Sequence, residues 1–204
     1  MFKLGIPLLI NISLFLSGAK GSQEQSQNYD PSFIAPPILN PFPQATSSAN
    51  IIIAGIASKD QTISLYINDN LVDSMKTKDD GAFSFKETIK PGENTIKAKA
   101  TVENRESDFS NALTTSLKSS PPFLKIISPS DGQSFSKDQN ITEIKGTTDS
   151  DVRITINGFW AIADGSGNFS YRLPLQNGEN KIKIIAEDIA GNKKELEIKV
   201  TYSP

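Results

Sequence analysis

Gly81-Ala82-Phe83-Ser84-Phe85 and Gly167-Asn168-Phe169-Ser170-Tyr171 are two versions of one short phrase, 86 positions apart (167 − 81). Each is followed at the same interval by a second match, Gly92-Glu93-Asn94-Thr95-Ile96-Lys97 with Gly178-Glu179-Asn180-Lys181-Ile182-Lys183. Self-similarity at a fixed spacing is the mark of a repeated structural unit. Upstream, Ile63-Ser64-Leu65-Tyr66-Ile67-Asn68 matches Val152-Arg153-Ile154-Thr155-Ile156-Asn157 at an offset of 89 (152 − 63). On that alignment an intervening hairpin differs by three residues (89 − 86). Gly55 pairs with Gly146, and Pro36-Pro37-Ile38-Leu39 with Pro121-Pro122-Phe123-Leu124. The repeat implies two copies, 31–118 and 119–204.

Within each copy the apolar residues alternate. Ile63, Leu65 and Ile67 do so in the first, and Ile182, Ile184 and Ala186 in the second. A period of two sends one face of a strand to a core and the other to water. Turn signals separate the runs: Asp80-Gly81, Pro91-Gly92, Asp131-Gly132, Asn177-Gly178 and Gly191-Asn192. The fold class is all-β, two tandem immunoglobulin-like β-sandwiches. In the second copy strands are expected near 123–127, 141–147, 151–157, 159–163, 168–173, 180–187 and 194–202, with the first following the same order. Lys118 to Pro122 joins the copies, and its two prolines argue for a stiff connection.

The N-terminus has the character of an export segment. Lys3 precedes an apolar run from Leu4 to Leu16, and Ser17-Gly18-Ala19 offers small residues for cleavage. Residues 1–19 are thus a signal peptide or an uncleaved membrane anchor, which would be the chain's only route to a membrane. Lys20 to Asp30 is polar, a tether whose eleven residues extend to about 35–40 Å. The expected location is extracytoplasmic: secreted, periplasmic or at the cell surface.

Composition removes most chemistry. The chain has no cysteine and no histidine, so disulfides, thiolate nucleophiles and imidazole catalysis are absent. Asp79-Asp80 lies on one turn, whereas a glycosidase needs carboxyls facing each other across a cleft. No Gly-x-Ser-x-Gly elbow occurs. A net charge of −2 supplies no basic field for nucleic acid. The expectation is a protein that is not an enzyme and carries no cofactor; Ca²⁺ is the one ion with candidate ligands, at Asp149, Asp151, Asp164 and Asp188. Turn formation is the commoner use of such aspartates.

Asp188-Ile189-Ala190-Gly191-Asn192, Gly178-Glu179-Asn180, Gly167-x-Phe169 and Ile126-Ile127-Ser128-Pro129 together make residues 121–202 resemble bacterial Ig-like modules. The resemblance is closest to domain B of glucodextranase. It implies the sandwich fold and says little of function, since such modules serve as spacers, adhesive units and appendages of extracellular enzymes. The first copy departs from the pattern at Val102-Glu103-Asn104-Arg105-Glu106, so its last turn is expected to be longer or differently shaped.

Gly92, Asn94, Gly178, Asn180, Gly191 and Asn192 are read as structural turn residues, with the asparagine side chains capping backbone groups. Phe159-Trp160, which holds the sole tryptophan, is the candidate ligand contact, with at least one of its two rings expected in the core. Asn140-Ile141-Thr142 and Asn168-Phe169-Ser170 fit the glycosylation rule. The functional expectation is an adhesive, interaction and spacer module whose partner is an unidentified envelope protein or polysaccharide. The alternative is a carbohydrate-binding accessory of an extracellular glycoside-hydrolase system.

Overall fold

The computed structural model describes residues 33–204, so the export segment and the tether lie outside the described residues. Among those residues there are seventeen strands and no helix. They form four sheets gathered around two separate cores.

In the first set, β1 (Ile38–Leu39), β3 (Asn50–Ile56) and β6 (Ala82–Thr88) make a three-stranded antiparallel sheet. Its partner has the order β2 (Ala45–Thr46), β9 (Leu113–Leu117), β7 (Gly92–Val102), β4 (Thr62–Ile67), β5 (Asn70–Lys76), with β8 (Arg105–Glu106) on β7. Ile53, Phe83 and Phe85 from one sheet meet Ile63, Leu65 and Ile96 from the other.

The second set repeats the plan. β10 (Leu124–Ser128), β12 (Ile141–Thr148) and β15 (Asn168–Pro174) form the small sheet. The large one runs β11 (Gln133–Ser136), β17 (Lys193–Ser203), β16 (Gly178–Glu187), β13 (Arg153–Ile156), β14 (Phe159–Ala161). Ile144 and Phe169 pack against Ile154, Ile156, Ile182 and Ile184. Two sheets sharing one core, antiparallel apart from one short edge strand in the larger, make the sandwich that alternation predicts.

Three details depart from the sequence reading. β11 has no counterpart among the expected strands; it runs parallel to β17, Gln133 opposite Val200. Four residues, Gln-Ser-Phe-Ser, are too few to display a period. The hairpin offset also changes. Ile63 lies opposite Ala100 and Ile154 opposite Ala186, so Ile63 corresponds to Ile154, 91 positions on (154 − 63). Gly55 and Gly146 have the same spacing (146 − 55), and the second hairpin is therefore shorter by five residues, not three (91 − 86). The sequence match aligned Asn68 with Asn157 because both open left-handed turns, at φ 51° and 48°. Those turns sit two residues apart along the sheet, an even shift that leaves every side chain on its own face.

The third detail is the first set's divergent last turn, which is differently shaped. Glu103 and Asn104 make a tight left-handed turn, φ 47° and 66°, and β8 follows at once. Beyond it the ladder is continued by side chains: Ser107 Oγ accepts from Ala100 N–H at 2.9 Å and Ser110 Oγ from Ala98 N–H at 3.0 Å. Asn111 binds both the N–H and the C=O of Leu39, fastening this segment to the small sheet.

Gly55 lies opposite Phe83, and Gly146 opposite Phe169. In both pairs the phenyl ring occupies the space a Cβ on the glycine would need, with a backbone carbonyl (Ile38 or Lys125) crowding the other side. Gly146→Ala is expected to cost about 1–3 kcal/mol by overpacking, measured by urea unfolding. Gly165→Ala meets open space and is expected to stay within about 0.5 kcal/mol of the parent.

Candidate functional site

The β13–β14 hairpin presents the candidate contact. Ile154 and Ile156 are fully buried, so Arg153 and Thr155 face outward. Trp160 lies opposite Thr155 and shares that outer face; Phe159 lies opposite Ile156 on the core side. The expectation that one ring enters the core is corrected, since both residues are 62% exposed. β14 is the outermost strand of its sheet, which leaves Phe159 exposed beside the fully buried Ile156, and the buried position on this strand goes to Ala161. Arg153 holds its guanidinium 5.8 Å from the Trp160 ring centroid, and Ile162 next to it is also exposed. The Asn157 turn is fixed to β16: its Oδ1 accepts from Lys183 N–H at 2.8 Å and its Nδ2 donates to Lys181 C=O at 3.3 Å.

At the matching turn of each sandwich an asparagine forms a closed hydrogen-bond ring. Asn94 Oδ1 accepts from Lys90 N–H, while its Nδ2 donates to the carbonyls of Lys90 and Gly92. Asn180 makes the same three bonds to Gln176 and Gly178. Gly92 and Gly178 carry φ of 86° and 89°, which places their carbonyls within reach.

Three of the four aspartates considered for calcium accept from backbone N–H groups. Asp164 Oδ1 accepts from the N–H groups of Ser166 and Asn168. Asp149 Oδ2 accepts from Phe123 N–H, and Asp151 sits in a turn at φ 58°. Asp188 Oδ1 accepts from Ala190 and Asn192 N–H, and its Oδ2 from Asn192 Nδ2. Asn192 Nδ2 also donates to Lys118 C=O at 2.6 Å, tying the Gly191-Asn192 loop to the connection between the cores. Among the described residues no group of three or more acidic side chains converges as a metal site would need. Of the two glycosylation matches, Asn140 is exposed, whereas the Asn168 amide is held by Asp164.

Two surface features went unread in the sequence. In the first set, Phe109 stands edge-on to Tyr66 at 5.2 Å, with the Lys97 and Lys99 ammonium groups 4.8 and 4.7 Å from its ring centroid. A lone phenylalanine in Ser107-Asp108-Phe109-Ser110 was the available signal. The outer face of the first small sheet carries exposed Ile38, Ile52 and Ile56, where the second has Lys125, Glu143 and Thr147 at the corresponding positions.

With the sheets, turns and hairpin in place, residues 122–203 match the family described as glucodextranase, domain B. That stretch is similar to glucodextranase domain B. The chain is also 33% identical over 161 residues to Bacillopeptidase F of Bacillus subtilis (strain 168). That alignment takes in 78% of this chain and 11% of the relative, so the chain spans about a tenth of the relative's length. In structure the chain is similar to the fibronectin(III)-like modules of Clostridium thermocellum CbhA: TM-score 0.52, 16% identity, 82% of this chain and 94% of that one. At that identity the likeness speaks for the fold alone. The Phe159-Trp160 hairpin, the Asn180 ring and the Asp188–Asn192 loop all lie inside the matched stretch, 122–203.

Asp188 has a pH consequence. Burial alone would raise its carboxyl, but the Asn192 side chain, the Asn192 and Ala190 N–H groups and the Lys118 charge outweigh burial and hold it below its ordinary value of 3.8. A depressed folded pKa stabilises the fold above the unfolded pKa and is lost as pH falls through the folded one. Between about pH 5 and pH 2 the melting temperature is therefore expected to fall less steeply in Asp188→Asn than in the parent. Parallel slopes would contradict the assignment.

Proposed function

We propose that the chain is a non-catalytic interaction and spacer protein of the cell envelope or the secreted fraction. In this reading the modules at 31–118 and 119–204 hold one contact surface, the Phe159-Trp160 hairpin, away from the site of attachment. The observation that carries it is the exposure of both rings on a short edge hairpin that hydrogen bonds from Asn157 make rigid. Large aromatic side chains left in water with their backbone already ordered bind at low entropic cost. The Asn192–Lys118 bond and Pro121-Pro122 support the spacer role, because they limit swing at the connection. Adhesive use also agrees with the composition, which offers no thiol or imidazole for catalysis.

A carbohydrate partner is favoured by one feature, the indole face with a guanidinium beside it. Sugars stack on such rings, and Arg153 would select those bearing a carboxylate. Retention of the protein on envelope extract and on purified wall polysaccharide tests both readings. Trp160→Ala and Phe159→Ala are expected to weaken retention by about tenfold or more, the size of an aromatic hot spot, with unchanged melting temperatures. Loss confined to polysaccharide selects the accessory reading, and loss confined to protein selects the adhesive one. Full retention by both variants would remove the hairpin from either.

A further inference from the structure

Two asparagine–glycine pairs occupy turns of the second sandwich, and their surroundings differ. At Asn157-Gly158 both ends of the side chain are held, by Lys183 N–H and Lys181 C=O. At Asn177-Gly178 the side chain is exposed and has no partner among the described residues. Gly178, at φ 89° and opposite Tyr202 at the start of β16, has no side chain to hinder its nitrogen, and the space where a Cβ would stand is open. The first sandwich has Pro91-Gly92 at the matching turn and so no amide to react.

We infer that Asn177 is a site of spontaneous deamidation in the folded protein, through attack by its own backbone. The Gly178 nitrogen loses its proton and bonds to Asn177 Cγ. The Cγ–Nδ2 bond breaks, and Nδ2 departs as ammonia with that proton, leaving a succinimide ring. Water then adds to one of the two ring carbonyls and gives aspartate or isoaspartate at 177. No oxidant, reductant or metal enters the balance. Asn157 has the same residue pair but must first give up two hydrogen bonds before its Cγ can swing to Gly158.

The product changes the turn. A new carboxylate appears two residues from Glu179, and in isoaspartate the main chain between 177 and 178 gains a methylene. The Asn180 side chain bridges the carbonyls on either side of that bond, Gln176 and Gly178. Lengthening the bridge opens the ring, and Lys181, the next residue, is the anchor for the Asn157 turn that aims Phe159 and Trp160. Deamidation at asparagine–glycine pairs is thus confined to the sandwich that bears the exposed hairpin.

Trypsin separates the two sites, cutting after Arg153, Arg172 and Lys181. The full chain, incubated at mildly alkaline pH and mapped by peptide mass, is expected to convert Asn177 roughly ten- to hundredfold faster than Asn157, since two hydrogen bonds protect the latter. In urea the two rates are expected to converge. Asn177→Pro, copying Pro91, is expected to keep its melting temperature through an incubation that lowers the parent's. Equal folded-state rates, faster loss at Asn157, or conversion of Asn177 only in urea would each overturn the inference.

Discussion

A phenyl ring laid across a glycine holds the small sheet of each sandwich to its core. Phe83 covers Gly55 and Phe169 covers Gly146, each pair directly opposite on neighbouring strands. With no cysteine and hence no disulfide, these modules depend on close packing for stability. Each ring fills the gap left by a missing Cβ without a void, and the pairing fixes register. A one-residue slip would turn Ile51, Ile53 and Ile144 outward. Every surface feature described above inherits its position from that register.

Register and face were legible in the residues, because alternation alone separates Ile63, Leu65 and Ile67 from Ser64 and Tyr66. The domain B likeness was legible for the same reason: its Gly, Asn and Phe positions are set by backbone geometry. Elements without a period stayed hidden. β2 and β11 are two and four residues long, and each adds a parallel partner to a sheet edge. The hairpin offset was misread because Asn68-Asp69 and Asn157-Gly158 satisfy the same left-handed turn at different heights. Chemistry of a turn says what bends there; it does not say how far along the sheet.

The candidate contact was found in sequence but oriented wrongly. One ring in the core is the ordinary outcome for adjacent aromatic strand residues. Here the pair lies on the outermost strand of its sheet, so Phe159 stays exposed although Ile156, opposite it, is fully buried. The Phe109 cluster shows the reverse failure. Its ring is held by Tyr66, Lys97 and Lys99, residues far from it in sequence that only the sheet brings together. Salt bridges from Lys97 to Asp69 and Lys99 to Glu106 neutralise the flanking ammonium groups, which marks that cluster as a fastening for the 107–111 segment. Among the described residues no ion pair flanks Trp160 in the same way, and its Arg153 neighbour stands alone over the ring.

Trp160 is the only tryptophan, so its fluorescence reports on the hairpin alone. Iodide quenching of the full chain, free and then saturated with the envelope fraction that retains it, tests the central claim. The account predicts red-shifted, readily quenched emission in the free protein, and a blue shift with protection once the fraction is bound. Emission that is already blue and protected in the free chain, or unchanged on binding, would contradict it.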